Sequence, residues 1–333
     1  MAPGISNNIL LTGAGFTKNF GGFLATEMWE KIFNCSEVQK SPDLVDILRN
    51  DFDYESVYHK IFAGDYSNDV KDAINSAMLQ AYRKLDKIGQ DYISTTDESK
   101  LNILNGAKKI IDLLSQNNQK TFFFTLNQDL FIERLISGIT PPIITPMMER
   151  FFPPNSNESK QPLDNNNFKI VPTKAKIDSN KEKIFNITNT YYIKLHGSFG
   201  WKSSDGSSKM VIGRNKITQI ANEPLLLWYF DVFKEELFRA RRKLLVIGYG
   251  FRDIHINEII AKAIKSHGLK LYIVSPTAPN TFKERLIKAD SDNGQKIFQG
   301  LTGYISANFH ELFPSNSNET DEWRELKEIF FTG

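Results

Sequence analysis

Four short segments of this chain carry residue types able to do chemistry, and each directly follows an apolar run. They are Gly13-Ala14-Gly15-Phe16-Thr17, Asn127-Gln128-Asp129, His196-Gly197-Ser198 and Gly248-Tyr249-Gly250-Phe251-Arg252-Asp253. Glycines separated by a single residue let a backbone come close to a pyrophosphate, and a helix opening there aims N–H groups at it. An amide, a carboxylate and an imidazole together could orient a substrate and move a proton. Taken singly, each segment has a simpler reading. Gly13-Ala14-Gly15 has no third glycine in the place a dinucleotide fingerprint wants one, since Gly21 and Gly22 come too late, and a tight strand-to-helix turn explains it equally well. His196 could close a strand, Asn127 could be a turn residue, and Asp129 could cap a helix over Leu130–Ile136, a role compatible with chemistry.

The elements around these segments favour convergence. Short runs rich in β-branched and aromatic residues lie at Ile9–Leu11, Thr121–Thr125, Tyr191–Leu195, Leu244–Ile247 and Leu269–Val274. Helical spacing separates most of them, at Asn105–Gln116, Pro224–Leu244 and Asp253–Lys265, with Asp253 as the N-cap of the last, and again at Thr320–Phe331. Strands alternating with helices predict an α/β fold, a Rossmann-like doubly wound parallel sheet covered on both faces. Ligands of such sheets bind outside the carboxyl ends of the strands, where the chemistry-bearing segments sit. Two stretches break the rhythm. Residues 43–95 read as an inserted helical subdomain, and residues 151–190, rich in Asn, Lys and Ser, as an extended or partly mobile polar insertion within a single domain spanning 1–333. Trp201 could pack over the site or serve in the core.

Composition narrows the function classes. The 333 residues carry a net charge of +2, so no global field recruits nucleic acid, and direct nucleic-acid binding is not expected. The cluster Arg239, Arg241, Arg242 and Lys243 fits the C-terminal end of a helix, where cations complement the dipole. The single cysteine, Cys35, reads as structural and rules out a multi-cysteine zinc module. No apolar run approaches the roughly 20 residues needed to span a membrane, and Met1–Asn8 lacks a signal-peptide pattern, so a cytoplasmic location is expected.

The ordered set resembles the sirtuin superfamily, and more closely the bacterial sirtuin-like proteins of antiphage defence. The resemblance runs from Ile9 to about Ser275 and is weak within Asp43–Asp91 and Asn155–Asn189. It implies that Gly13, Ala14, Gly15, Phe16 and Thr17 form the first nucleotide loop, with the Thr17 hydroxyl reaching a phosphate or ribose oxygen. Asn127 and Asp129 match the family's Asn-x-Asp pair on the nicotinamide side of NAD, and His196 matches its catalytic histidine. Gly248, Tyr249, Gly250 and Asp253 match the turn that holds ribose and phosphates, and Leu271–Ser275 the strand flanking the adenosine. The implied activity is an NAD glycohydrolase that takes NAD as substrate without a metal. In it Asp129 holds the carboxamide, Asn127 positions ribose or water, and His196 is the general base. The resemblance further suggests a homo-oligomer working with a HerA-like helicase ATPase. Three departures weigh against lysine deacylation: the zinc cysteines are missing, Leu126 stands where deacylases carry glutamine, and Phe20-Gly21-Gly22-Phe23-Leu24 replaces a proline-rich segment. A non-catalytic NAD or ADP-ribose sensor, or a protein deacylase or ADP-ribosyl transferase, are the alternatives. His59, His255, His267 and His310 read as structural or surface residues.

Overall fold

The computed structural model describes residues 5–115, 119–135, 143–153, 157–314 and 319–332. Gln116, Ile136 and Asn155, where expected segments begin or end, lie outside them. The strands are β1 (Ile5–Thr12), β2 (Lys120–Thr125), β3 (Ile143–Ile144), β4 (Lys169–Ile170), β5 (Thr190–Lys194), β6 (Gly197–Lys202), β7 (Ser208–Met210), β8 (Lys243–Ile247), β9 (Lys270–Val274) and β10 (Leu301–Ile305). Seven of them form one sheet in the order β10-β9-β8-β1-β2-β5-β3, and each of its pairings is parallel. The expected Rossmann-like α/β architecture is what the chain adopts. A second sheet, β4-β6-β7, mixes parallel and antiparallel pairs.

Burial on both faces explains why the central strands read as unbroken apolar runs. Ile9, Leu11, Phe122, Phe124, Ile193, Leu244 and Val246 pack into one core. Their alternates Leu10, Phe123, Tyr192 and Leu245 pack into a second core on the opposite face. The switch in winding direction falls at β1, whose neighbours β2 and β8 lie on either side of it. A crevice therefore opens between the carboxyl ends of β1 and β8, where such sheets take their ligands.

The helical stretch after the first loop consists of Pro42–Asn50, Tyr54–Ala63 and Asn68–Ile93, followed by Glu98–Leu114, which starts earlier than the expected Asn105. The polar stretch departs from the extended form expected of it: Lys174–Ile184 is a helix, anchored by Ile177 as its buried residue and N-capped by Thr173. The helix expected over Pro224–Leu244 stops at Leu237 with Phe238 as its C-cap, and Arg241 takes a left-handed conformation (φ 65°) in the turn that leads into β8. Arg242 is no exposed end charge either. It is buried, ion-paired with Glu236, and donates to the Ser6 carbonyl.

Candidate active site

The crevice is built by glycines that interlock. Gly13 N–H donates to the Ile247 carbonyl (3.1 Å) and Gly15 N–H to the Gly248 carbonyl (2.8 Å). Gly248 has φ +70°, and a Cβ there would lie 2.7 Å from Gly15 Cα and closer still to Phe16 N. Side chains on Gly13 or Gly15 would come within 2.8 Å of Gly248 backbone atoms. The β1 and β8 loops thus pass backbone to backbone. Beside them lies a cavity of about 300 Å³ whose lining includes Gly15, Lys18, Gly248, Val274, Asn308 and His310. Ser275 sits between the lining residues Val274 and Pro276, and its Oγ accepts from Thr277 N–H (3.2 Å).

The loop itself offers fewer free donors than the sequence suggests. The amides of Gly13, Gly15 and Phe16 all donate within the protein. The Phe16 ring is buried against Phe20, Phe123 and Phe309, so it belongs to the core, while Ala14 is exposed. Thr17 differs most from expectation. Its hydroxyl donates to Asp129 Oδ2 (2.9 Å) and accepts from Asn127 Nδ2 (2.9 Å), in a residue that is 2% exposed. It fastens the two β2-loop side chains together instead of reaching toward a phosphate.

Asn127 and Asp129 form one unit through that hydroxyl. The second Asn127 amide hydrogen goes to the Gly13 carbonyl (3.0 Å), and its backbone N–H to Thr125 Oγ1 (3.1 Å), which leaves Oδ1 to accept from a ligand or water. Asp129 Oδ1 accepts from Phe131 N–H (3.0 Å) at the start of the short helix Phe131–Leu135, a capping contact of the kind expected. Burial pushes the Asp129 carboxyl up, and Lys194, the Phe131 N–H and Thr17 oppose the rise. Lys194, buried on β5, donates to the Asp129 carbonyl and pairs with Glu133 (2.8 Å).

His196 stands in the turn between β5 and β6. Gly197 next to it has φ +73°, and a Cβ there would overlap the Lys209 carbonyl, so only glycine lets the chain reverse directly after the histidine. Gln128 couples this turn to the Asn127–Asp129 loop. Its Nε2 donates to the His196 (3.2 Å) and Val211 (2.6 Å) carbonyls, its Oε1 accepts from Tyr82, and its backbone carbonyl accepts from Phe199 N–H (2.7 Å). Its place between Asn127 and Asp129 was the one available signal for this role.

The β8 turn divides between two jobs. Gly248 belongs to the crevice, but the cavity lining does not include Tyr249, Gly250 or Asp253. Tyr249 is buried, its hydroxyl donating to Asn257 Oδ1 (3.0 Å) and accepting from Asp253 N–H (3.2 Å). Asp253 precedes the helix Ile254–His267 without capping it through its side chain; the carboxylate pairs with Lys216 (2.8 Å). Burial pushes this carboxyl up, but His196, Lys216 and His255 more than offset that and hold it below the ordinary range.

His255, taken from sequence as structural or surface, lies in the site. Its Nε2 is 3.1 Å from His196 Nε2, and both rings are buried. Burial drives His196 down to about 3, with Lys216 and His255 pushing the same way and Asp253 opposing. Burial likewise takes His255 down to about 4, again against Asp253. At neutral pH both rings are therefore uncharged. His310 is exposed, as expected of a surface residue, and lines the cavity beside Gly15 and Gly248. Trp201 is 1% exposed and packs in the core against Tyr229. It lines a separate, mostly apolar cavity of about 380 Å³ with Met147, Met148 and Phe151, away from the histidine pair. Cys35 is buried, as a structural cysteine should be. Among the described residues no group of three or more His, Cys, Asp or Glu is placed to hold a metal ion, and no helix is long and apolar enough to cross a membrane.

A doubly wound sheet with a glycine-lined crevice at its switch point and a polar cluster at adjacent strand ends is an α/β architecture that binds ligands at this end of the sheet; the lining of the cavity beside the crevice does not include Asn127, Asp129 or His196. A family model for the SIR2-like domain matches residues 121–294, and the chain belongs to that family. SIR2-like domains bind NAD, so the match fits an NAD-utilising protein. The matched segment contains Asn127, Asp129, His196, the β8 turn and Ser275, and begins after the Gly13 loop. No curated protein matches the chain.

Proposed function

We propose that this protein hydrolyses the nicotinamide–ribose bond of NAD, releasing nicotinamide and ADP-ribose, and that it depletes NAD in antiphage defence. The observation that carries the reading is the joining of Asn127, Thr17 and Asp129 into one buried hydrogen-bonded unit, tied through Gln128 to the His196 turn. The leaving group starts as a pyridinium cation and departs neutral, so the work left to the protein is orientation, charge stabilisation and removal of a proton. Asp129, with Thr17 and Phe131 fixing its oxygens, accepts from the carboxamide N–H₂ and sets negative charge near the cation. Asn127 uses Oδ1 to position water or a ribose hydroxyl. His196 is the general base, work that contributes ~10²–10⁴-fold. Gly13, Ala14, Gly15 and Gly248 admit the pyrophosphate by close backbone approach, and Ser275 borders the adenosine end.

Several finer points belong to the same reading. Residues 43–95 act as an inserted helical subdomain and 151–190 as a polar insertion within one cytoplasmic domain. The active form is a homo-oligomer, gated by a HerA-like ATPase, because unregulated NAD loss would kill the host. The test is nicotinamide release by purified protein, alone and with a HerA-like ATPase, using His196→Ala and Asn127→Ala as controls. Wild type silent in every condition, or both variants as active as wild type, defeats the reading. NAD binding without turnover favours a sensor, and turnover that requires an acylated peptide favours a deacylase.

A further inference from the structure

We propose that His255 is a positioning residue that relays the proton taken up by His196, with Asp253 and Lys216 as the charges that set how readily the pair holds it. The inference rests on the hydrolase reading above. It starts from the direct contact of the two Nε2 atoms, 3.1 Å apart. At that distance one ring donates and the other accepts, so the contact holds a single shared proton. His196 is then committed at Nε2, and Nδ1 is the nitrogen outside the pair.

The reaction needs such an arrangement. Water forms a bond to C1′ as the C1′–N1 bond breaks, and the bonding pair neutralises the nicotinamide ring. One proton is left over for each NAD cleaved. It reaches His196 at Nδ1, His196 passes its Nε2 proton to His255, and His255 passes one on toward solvent. Both rings are then neutral with their tautomers exchanged, His196 carrying its proton on Nδ1 and His255 on Nε2; once nicotinamide has left, water takes the Nδ1 proton of His196 while one returns through His255, which restores the starting pair with one proton released per turnover.

The pair is buried, and the charges around it are less so. His196 is 3% and His255 6% exposed, whereas the side chains of Asp253, Lys216 and Glu55 are 14%, 16% and 28% exposed. Lys216 Nζ lies 2.8 Å from a carboxylate oxygen of Asp253 and 2.8 Å from one of Glu55. These groups come from separate elements: the β5–β6 turn, the start of Ile254–His267, the helix Lys216–Ala221 and the helix Tyr54–Ala63. Phe230, on Pro224–Leu237, packs its ring 5.7 Å from His255 and contributes no charge. Asp253 favours a transient imidazolium on either histidine and Lys216 opposes it. The positive charge can therefore form on the pair but is not held there.

The experiment measures nicotinamide release against pH for wild type, His255→Gln, His255→Ala and His196→Ala. His267→Gln, at the far end of the same helix, serves as control. For His255→Gln, kcat falls about 10–100-fold while KM for NAD stays within about twofold. The acidic limb of kcat moves to higher pH, because a neighbour that holds His196 down is gone. Added imidazole restores part of the His255→Ala rate, and His267→Gln matches wild type throughout. A His255→Gln enzyme with wild-type kcat and pH profile overturns the relay and leaves the hydrolase reading standing. So does a rate loss in both His255 variants with an unmoved profile and no imidazole rescue, which marks a packing role. An active His196→Ala overturns the relay by removing its first member, and a silent wild type overturns the hydrolase reading itself.

Discussion

Replacing Gly248 with alanine tests whether the crevice exists because two loops cross backbone to backbone. The residue sits at φ +70°, where a non-glycine residue costs roughly 1–2 kcal/mol. The added methyl would also strike Phe16 N and the Gly15 backbone. Neither is the free end of a side chain, so the β1 loop must move as a whole, an overpacking cost of about 1–3 kcal/mol. Together these give a destabilisation of about 2–5 kcal/mol, and at ~2–4 °C per kcal/mol a melting temperature lower by roughly 4–20 °C. Gly250 is the internal control. It has no positive φ, and a Cβ on it would meet nothing within 4 Å, so Gly250→Ala stays within ~0.5 kcal/mol of wild type. Differential scanning calorimetry of the three proteins, with and without NAD, reads both the stability and the NAD-dependent rise in melting temperature. Gly248→Ala melting with wild type, or Gly250→Ala losing as much as Gly248→Ala, refutes the reasoning.

Acid should unfold the protein through its histidine pair. The folded pKa values of about 3 and about 4 lie below the unfolded value near 6.5, so the stabilising difference is complete above pH 6.5 and is lost as pH falls toward 4. Melting curves between pH 7.5 and 4 would show it at about 1.4 kcal/mol per unit per histidine, and His255→Gln should flatten the slope. Thr17→Val removes the donor to Asp129 and the acceptor of Asn127 at constant volume, for a loss of about 2–4 kcal/mol by urea unfolding, and Thr17→Ser should recover most of it. Truncating Glu236 to alanine strands the buried Arg242 guanidinium and should cost about 3–5 kcal/mol, whereas removing the exposed partner Arg239 should cost under about 1 kcal/mol.

The fold was largely legible because buried parallel strands advertise themselves as apolar runs. β1, β2, β5, β8 and β9 each contain one. β3 has two residues, too few for any pattern, and β10 carries Thr302 and Gly303 in its middle. β6 begins at Gly197, a residue that reads as a turn and is one, since the chain reverses and extends at the same position. Lys174–Ile184 was hidden because one buried isoleucine cannot mark an apolar face. In the candidate site, the residues at strand ends could be picked out, but their partners could not. His196 and His255 meet across the fold, as do Thr17 and Asp129, and spacing carries no trace of such contacts. Asp253 shows the same limit: an N-cap position is local information, while the lysine that claims its carboxylate is not.

The central position of β1 has a consequence for synthesis. β1 is made well before β8, and one of its two edges stays open until β8 exists, when Leu244 pairs with Ile9 and Gly248 closes over Gly15. A nascent chain therefore carries an exposed apolar edge while everything between β1 and β8 is added, a state prone to wrong pairing and slow to resolve. The same delay governs the site: His196 alone does not complete it, because Gly248 and His255 are made later, and Val274, Asn308 and His310 of the cavity lining later still. A truncated or stalled product would hold neither the crevice nor the histidine pair.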